Sequence, residues 1–154
     1  MNKLSLFIKN QMSFFWLPAA WICGVRVDSE ESNKCSVRVK LGFINKNPFK
    51  SLFWAVQGMA AEMPGGLLLQ NKIKNSGQNI AMLLVGSSSK FTKKAVGKIL
   101  FTFENGKQLD ELVNEAVKTK EAQTITIKTN GVDEQGNIVS EFSFNWSIKL
   151  RSKK

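Results

Sequence analysis

Residues 47 to 70, NPFKSLFWAVQGMAAEMPGGLLLQ, restrict this chain more than any other stretch. Between Leu52 and Leu69 the only hydrogen-bonding side chains apart from an indole are Gln57 and Glu62. As a helix the segment is therefore apolar nearly all round, and such a helix is buried rather than laid on a surface. Asn47 as a cap, Pro48 at the first helical position and Ser51 one turn later predict that it starts at about residue 48 and runs to about 70. Its length would allow one membrane crossing, but Gln57, Glu62 and Pro64 interrupt it, so a core helix is expected. The rest of the chain has to enclose it.

The flanking sequence supplies the enclosure. Leu4, Phe7, Ile8, Met12 and Phe15 recur at helical spacing and predict an amphipathic helix over about 3–16, ending before Pro18. Packing of its apolar stripe on the chain's own sheet is expected, with a membrane surface as the alternative. The period then changes to two. Cys23, Val25 and Val27, and after a polar turn Cys35, Val37, Val39, Leu41 and Phe43, form a hairpin with one apolar face. Further strands are predicted at 80–91, 95–104 and 124–129, and at 138–150, where Ile138, Ser140, Phe142, Phe144, Trp146, Ile148 and Leu150 share a face. A helical stripe at Leu109, Leu112, Val113, Ala116 and Val117 lies between them. The resulting fold class is α+β: a curved antiparallel sheet of about six strands wrapped around a long central helix, in one domain over 1–154.

Composition narrows the chemistry. The 154 residues are long enough to bury about two-thirds of the surface of the unfolded chain. There is no His, which removes Ser-His-Asp and Cys-His triads and every imidazole-dependent zinc site. Cys23 and Cys35 alone cannot close a structural zinc site, so no metal and no cofactor are expected. With the hairpin paired around Glu31 and Ser32, Cys35 falls opposite Asp28 and Cys23 opposite Lys40, which separates the thiols; two reduced cysteines in a cytoplasmic protein are expected. Lys9, Asn10 and Gln11 break the first apolar run, and bulky Ile22 precedes Cys23, which argues against a cleaved leader.

Two segments carry a resemblance. FTKKAVGKI, Phe91 to Ile99, resembles the part of phenylacetyl-CoA-type hotdog thioesterases in which an aromatic and basic residues precede Ala-x-Gly-x-apolar. NKNPFKSLFWAVQGMAAE resembles that family's lead-in loop and central helix, with an acidic residue about three turns in. Over roughly residues 20–150 the chain resembles the hotdog-fold thioesterase superfamily, and most closely an uncharacterised branch of it, a domain of unknown function. The resemblance implies a metal-independent acyl-CoA thioesterase, or a thioesterase-like protein, assembled as a homodimer or dimer of dimers. At the position of the family's His-Gly-Gly, counting back from Glu62, this chain has Phe53, Trp54 and Ala55.

Candidate site residues follow from the chemistry. Glu62 is the lone carboxylate in an apolar helix, and a buried carboxylate shifts its pKa or finds a partner. It is the candidate base or nucleophile toward a thioester, with Asn45, Asn47 and Gln57 as candidate groups to polarise the thioester oxygen. Gly58 lies one turn before Glu62, and Gly65 and Gly66 one turn after, so an acyl or pantetheine groove is expected there. Close helix packing in a dimer is the structural alternative for the glycines. Ser87, Ser88 and Ser89 are placed where the strand approaches a partner's helix, with Ser88 as the candidate contact. Lys90, Lys93, Lys94 and Lys98 form a basic cluster for CoA phosphates or an acyl carrier protein, and Lys149, Arg151, Lys153 and Lys154 a second; a plain solvated surface is the alternative. A non-catalytic acyl-CoA binding module and a basic nucleic-acid-binding domain are the competing functions; no nucleic-acid motif accompanies the net charge of +10.

Overall fold

A computed structural model describes residues 3–151; the lysines at 153 and 154 of the second basic cluster lie outside them. Four helices and six strands alternate as α1 (Lys3–Trp16), α2 (Pro18–Ile22), β1 (Arg26–Glu30), β2 (Cys35–Lys40), α3 (Trp54–Asn75), β3 (Ile80–Phe91), β4 (Lys98–Phe103), α4 (Gly106–Thr119), β5 (Gln123–Val132) and β6 (Ile138–Leu150). All strands join one antiparallel sheet in the order β1-β2-β4-β5-β6-β3. The α+β architecture of a six-stranded sheet around one long helix is therefore the observed one.

The core forms where the two periodicities meet. Val56, Ala60, Ala61, Met63, Leu68 and Leu69 of α3 are buried, as are Val37 and Val39 of β2, Ile99 and Phe101 of β4, Ile127 of β5 and Phe142, Phe144, Trp146 and Ile148 of β6. Small residues let α3 press close to the sheet: a Cβ on Gly65 would lie 2.6 Å from Cγ2 of Ile127. Pro64 removes an N–H from the middle of α3, yet the helix runs unbroken through it. Thr129 on β5 donates its hydroxyl to the Ala61 carbonyl at 2.9 Å, beside the Ala60 carbonyl that Pro64 leaves without its helical donor.

Several boundaries differ from the sequence reading, each for a local reason. The central helix spans 54–75, not 48–70. Asn47 caps a turn instead of the helix: its Oδ1 accepts the amides of Phe49 at 3.0 Å and Ser51 at 3.2 Å. Pro48 sits inside that turn, which suits its fixed φ as well as a helix start does. Lys50 takes the left-handed conformation at φ 61°, Lys46 and Leu52 bridge the loop, and Phe53 donates its N–H to Asn45 O at 2.8 Å. At the other end Lys72 and Lys74 extend the last turn, where cations favour the helix dipole.

In the hairpin, Cys35 faces Glu30 rather than Asp28: the strands already pair one residue off the expected register at Val27 and Val37, and a bulge between Val27 and Ser29 adds a second step. Cys23 lies outside the strands, at the end of α2, a five-residue helix that the sequence reading missed. The strand expected from residue 95 begins at Lys98, and β5 runs on to Val132.

Candidate functional site

Glu62 projects from the middle of α3 into an apolar cavity of about 370 Å³, within the usual range for small-molecule pockets. One wall is the α1–α2 corner, residues 16–20. The floor is Met59, Met63, Gly66 and Leu67 of α3, and the far wall is Met82 of β3 with Trp146 of β6. Burial pushes the Glu62 carboxyl above its ordinary value. No counter-ion or hydrogen bond reaches it among the described residues, so nothing opposes that push.

A polar group unforeseen from the sequence shares this cavity. The indole Nε1 of Trp146 is buried with no hydrogen-bond partner among the described residues. Trp146 had been read only as one of the apolar side chains of its strand, although a buried indole N–H usually finds an acceptor. The Trp146 side chain and an unpaired, desolvated carboxylate thus line one apolar space. A carboxylate in that state can take a proton from water.

The remaining sequence candidates separate into other places. Asn47, Gln57, Lys93 and Lys94 line a second, shallower hollow between the 47–54 loop and residues 91–95. Gln57 is five residues before Glu62, which puts the two about 140° apart around the helix and explains the split. Its Nε2 donates to Leu52 O at 3.2 Å, and its Oε1 is buried without a partner among the described residues. Asn47 is spent on its own loop, and Ser51 Oγ also donates to its Oδ1 at 3.2 Å. Lys93 pairs with Asp133 at 3.1 Å, and Lys94 donates to Phe49 O at 3.3 Å.

Four candidates are placed away from both hollows. Asn45 is buried with its amide fully used: Nδ2 donates to Cys23 O and to Lys40 O at 2.9 Å each, and Oδ1 accepts the Gly42 N–H at 2.8 Å. Gly65 is occupied by its contact with Ile127, whereas Gly66 lines the cavity, with a Cβ there 3.6 Å from the Trp146 ring; Gly58 lies beside Phe142 instead. Ser88 pairs with Ser143 on the outer face of the sheet. A bulge between Leu84 and Gly86 puts Ser87 and Ser89, opposite Phe144 and Phe142, on the helix side instead.

The fold has relatives among solved structures. A Pseudomonas aeruginosa protein of unknown function, named a probable thioesterase, is similar over 94% of this chain and 95% of its own, with a TM-score of 0.82 and 19% identity. A thioesterase from Haemophilus influenzae is similar over 94% of this chain and 90% of its own, with a TM-score of 0.66 and 12% identity. The E. coli PaaI protein from the phenylacetic acid degradation operon gives 96% and 94%, a TM-score of 0.60 and 13% identity. No curated protein matches the sequence. The fold is the hotdog fold, and the chain belongs to the family described as "Domain of unknown function (DUF4442)", whose pattern it matches from residue 6 to residue 148.

Proposed function

We propose that this protein is a thioesterase of the acyl-CoA class, working without a metal, in which Glu62 activates water or attacks the thioester carbon. The observation that carries the reading is Glu62 itself: a carboxylate raised by burial, unpaired, and set in an apolar cavity. A raised pKa makes a carboxylate a stronger base at neutral pH, and an apolar cavity suits the acyl chain better than the CoA nucleotide. Trp146, which lines the cavity and whose indole N–H has no acceptor among the described residues, is then the candidate donor to the thioester oxygen. The basic residues around the second hollow, Lys93 and Lys94, are then surface groups for the CoA phosphates or an acyl carrier protein.

The test is a chain-length panel of acyl-CoA substrates with free-thiol detection, run on the wild type and on Glu62→Gln. Loss of about a hundredfold or more in the variant is expected, the scale of a positioned general base. An unchanged rate in Glu62→Gln would remove Glu62 from the chemistry. A second reading, acyl-CoA binding without turnover, is favoured by the start of α3, where Phe53, Trp54 and Ala55 present no glycine amide to a substrate oxygen. It predicts saturable binding by calorimetry with no thiol released.

A further inference from the structure

Helix α1 is mounted the wrong way round for a helix that serves its own core. Its polar side chains hold it to the body: Asn10 Nδ2 donates to Val27 O at 2.9 Å, Asn10 Oδ1 accepts the Val27 N–H at 2.8 Å, and Lys9 pairs with Glu30. Its apolar stripe points outward. Leu4 is 68% exposed, Phe7 60%, Phe15 72% and Trp16 78%, and none of the helix's residues is buried. The expected packing of this stripe on the chain's own sheet is not what the structure has. A contiguous apolar patch of this kind marks an interaction surface.

We infer that α1 docks the protein on an anionic lipid surface, lying in the interface with its apolar stripe down. At 14 residues the helix is about 21 Å long, too short for a hydrocarbon core of about 30 Å. No helix among the described residues is long and apolar enough to cross a membrane. The stripe combines Phe, Leu, Ile, Met and Trp, the composition of helices that lie at the headgroup boundary. Charge complements such a surface: α1 carries Lys3, besides the Lys9 that pairs with Glu30, and no acidic residue, on a chain of net charge +10.

A second copy of the chain fits the stripe less well. One face of α1 presents a projected area of about 200 Å², against about 800 Å² per partner in a stable interface. Helix α1 lies along β1, while the other edge of the sheet is β3. The inference stands apart from any hydrolysis at Glu62. It does place Trp16 and Leu17, which line the Glu62 cavity, at the lipid boundary, so that an acyl chain would enter that cavity from the bilayer side.

Co-sedimentation with phosphatidylcholine vesicles, with and without about one-third phosphatidylglycerol, tests it at low and high salt. The wild type should pellet with the anionic vesicles and be released as salt rises. A double Phe7→Ser, Phe15→Ser variant should partition about tenfold less or weaker still, with unchanged circular dichroism and melting, because both rings are exposed. Wild type remaining in the supernatant at low salt overturns the inference. So does a double variant that pellets as well as the wild type, since general basic charge would then suffice. A soluble dimer that these substitutions dissociate, without vesicle binding, overturns it too and gives the stripe to a second copy.

Discussion

Asn10 on α1 takes both backbone hydrogen bonds of Val27 on β1, donating to its carbonyl and accepting its N–H. One asparagine amide thereby does for the β1 edge what a neighbouring strand would do. The open edge of the sheet is consequently β3, twelve residues long, whose far half is exposed. Asn10→Ala leaves two backbone groups without partners beside a buried side chain, and we expect a loss of about 1–3 kcal/mol in denaturant unfolding. The variant should also free α1, seen as faster hydrogen exchange over residues 3–16.

An uncovered strand edge predicts association. We expect a homodimer through β3, because an unprotected edge of this length is a template for another strand. Light scattering at micromolar concentration checks it. A proline at Ser88, in the exposed half of β3, should shift the mass toward the monomer, and a wild-type monomer throughout would refute it.

Glu62 should mark the pH dependence of stability. Its carboxyl is raised in the fold by burial, so the folded state holds the proton over a range where the unfolded chain has lost it. The folded state binds more protons there, and stability falls as pH rises from the ordinary carboxylate value through the raised one. Glu62→Gln removes that slope and should melt higher than wild type at neutral pH. If the variant melts lower at neutral pH, Glu62 has a partner in the assembled protein.

Adjacent glycines on α3 should respond with opposite signs. Gly65→Ala forces a methyl into the buried Ile127 side chain, and overpacking of this kind costs about 1–3 kcal/mol. Gly66→Ala meets only an ordinary contact with Trp146, and the helix gains about 0.8–1 kcal/mol from losing a glycine. Thermal melts of the two variants, side by side with wild type, decide this. The double variant Gly65→Ala, Ile127→Ala should lose less than the sum of the two single losses, because the added methyl then fills space the Ile127 side chain leaves.

Thiol chemistry should separate the two cysteines. Burial, with Glu30 nearby, pushes the Cys35 thiol up to about 12, and its side chain is fully enclosed. A disulfide reagent at neutral pH should therefore leave Cys35 untouched in the native protein and modify it only after denaturation. Mass mapping of the labelled peptides reads this directly, and rapid native labelling of Cys35 would refute it.

What the sequence could tell follows from what a pattern encodes. The apolar run of α3 announces a buried helix because composition alone sets its environment, and the two-residue alternation of β6 announces its buried face. Asn47 and Pro48 mislead because an Asn-Pro start suits a turn and a helix equally, and only the bonds from Phe49 and Ser51 decide between them. The stripe on α1 is visible as a stripe, but periodicity does not say which side meets the body. That depended on Asn10 finding an exposed strand edge far along the chain. The division of the site into two hollows is a matter of angle around α3, and Trp146 was hidden because an indole in an apolar row reads as bulk rather than as a donor.

The bulge at Val85 shows how small a step in register separates two different surfaces. A strand has two phases, and one unpaired residue moves everything after it from one phase to the other while the residues before it stay put. Ser87 and Ser89 look toward the helix, and Ser88 away from it, solely because one residue is looped out. Pairing Val85 with Asn145 would close the bulge and turn over the outer half of β3 without altering any side chain. Its concave surface would then present Ser88 and Lys90 in place of Ser87, Ser89 and Phe91, so a cation would take the place of an aromatic ring. A slip of one residue at that point is therefore a shorter route to a new lining than several substitutions.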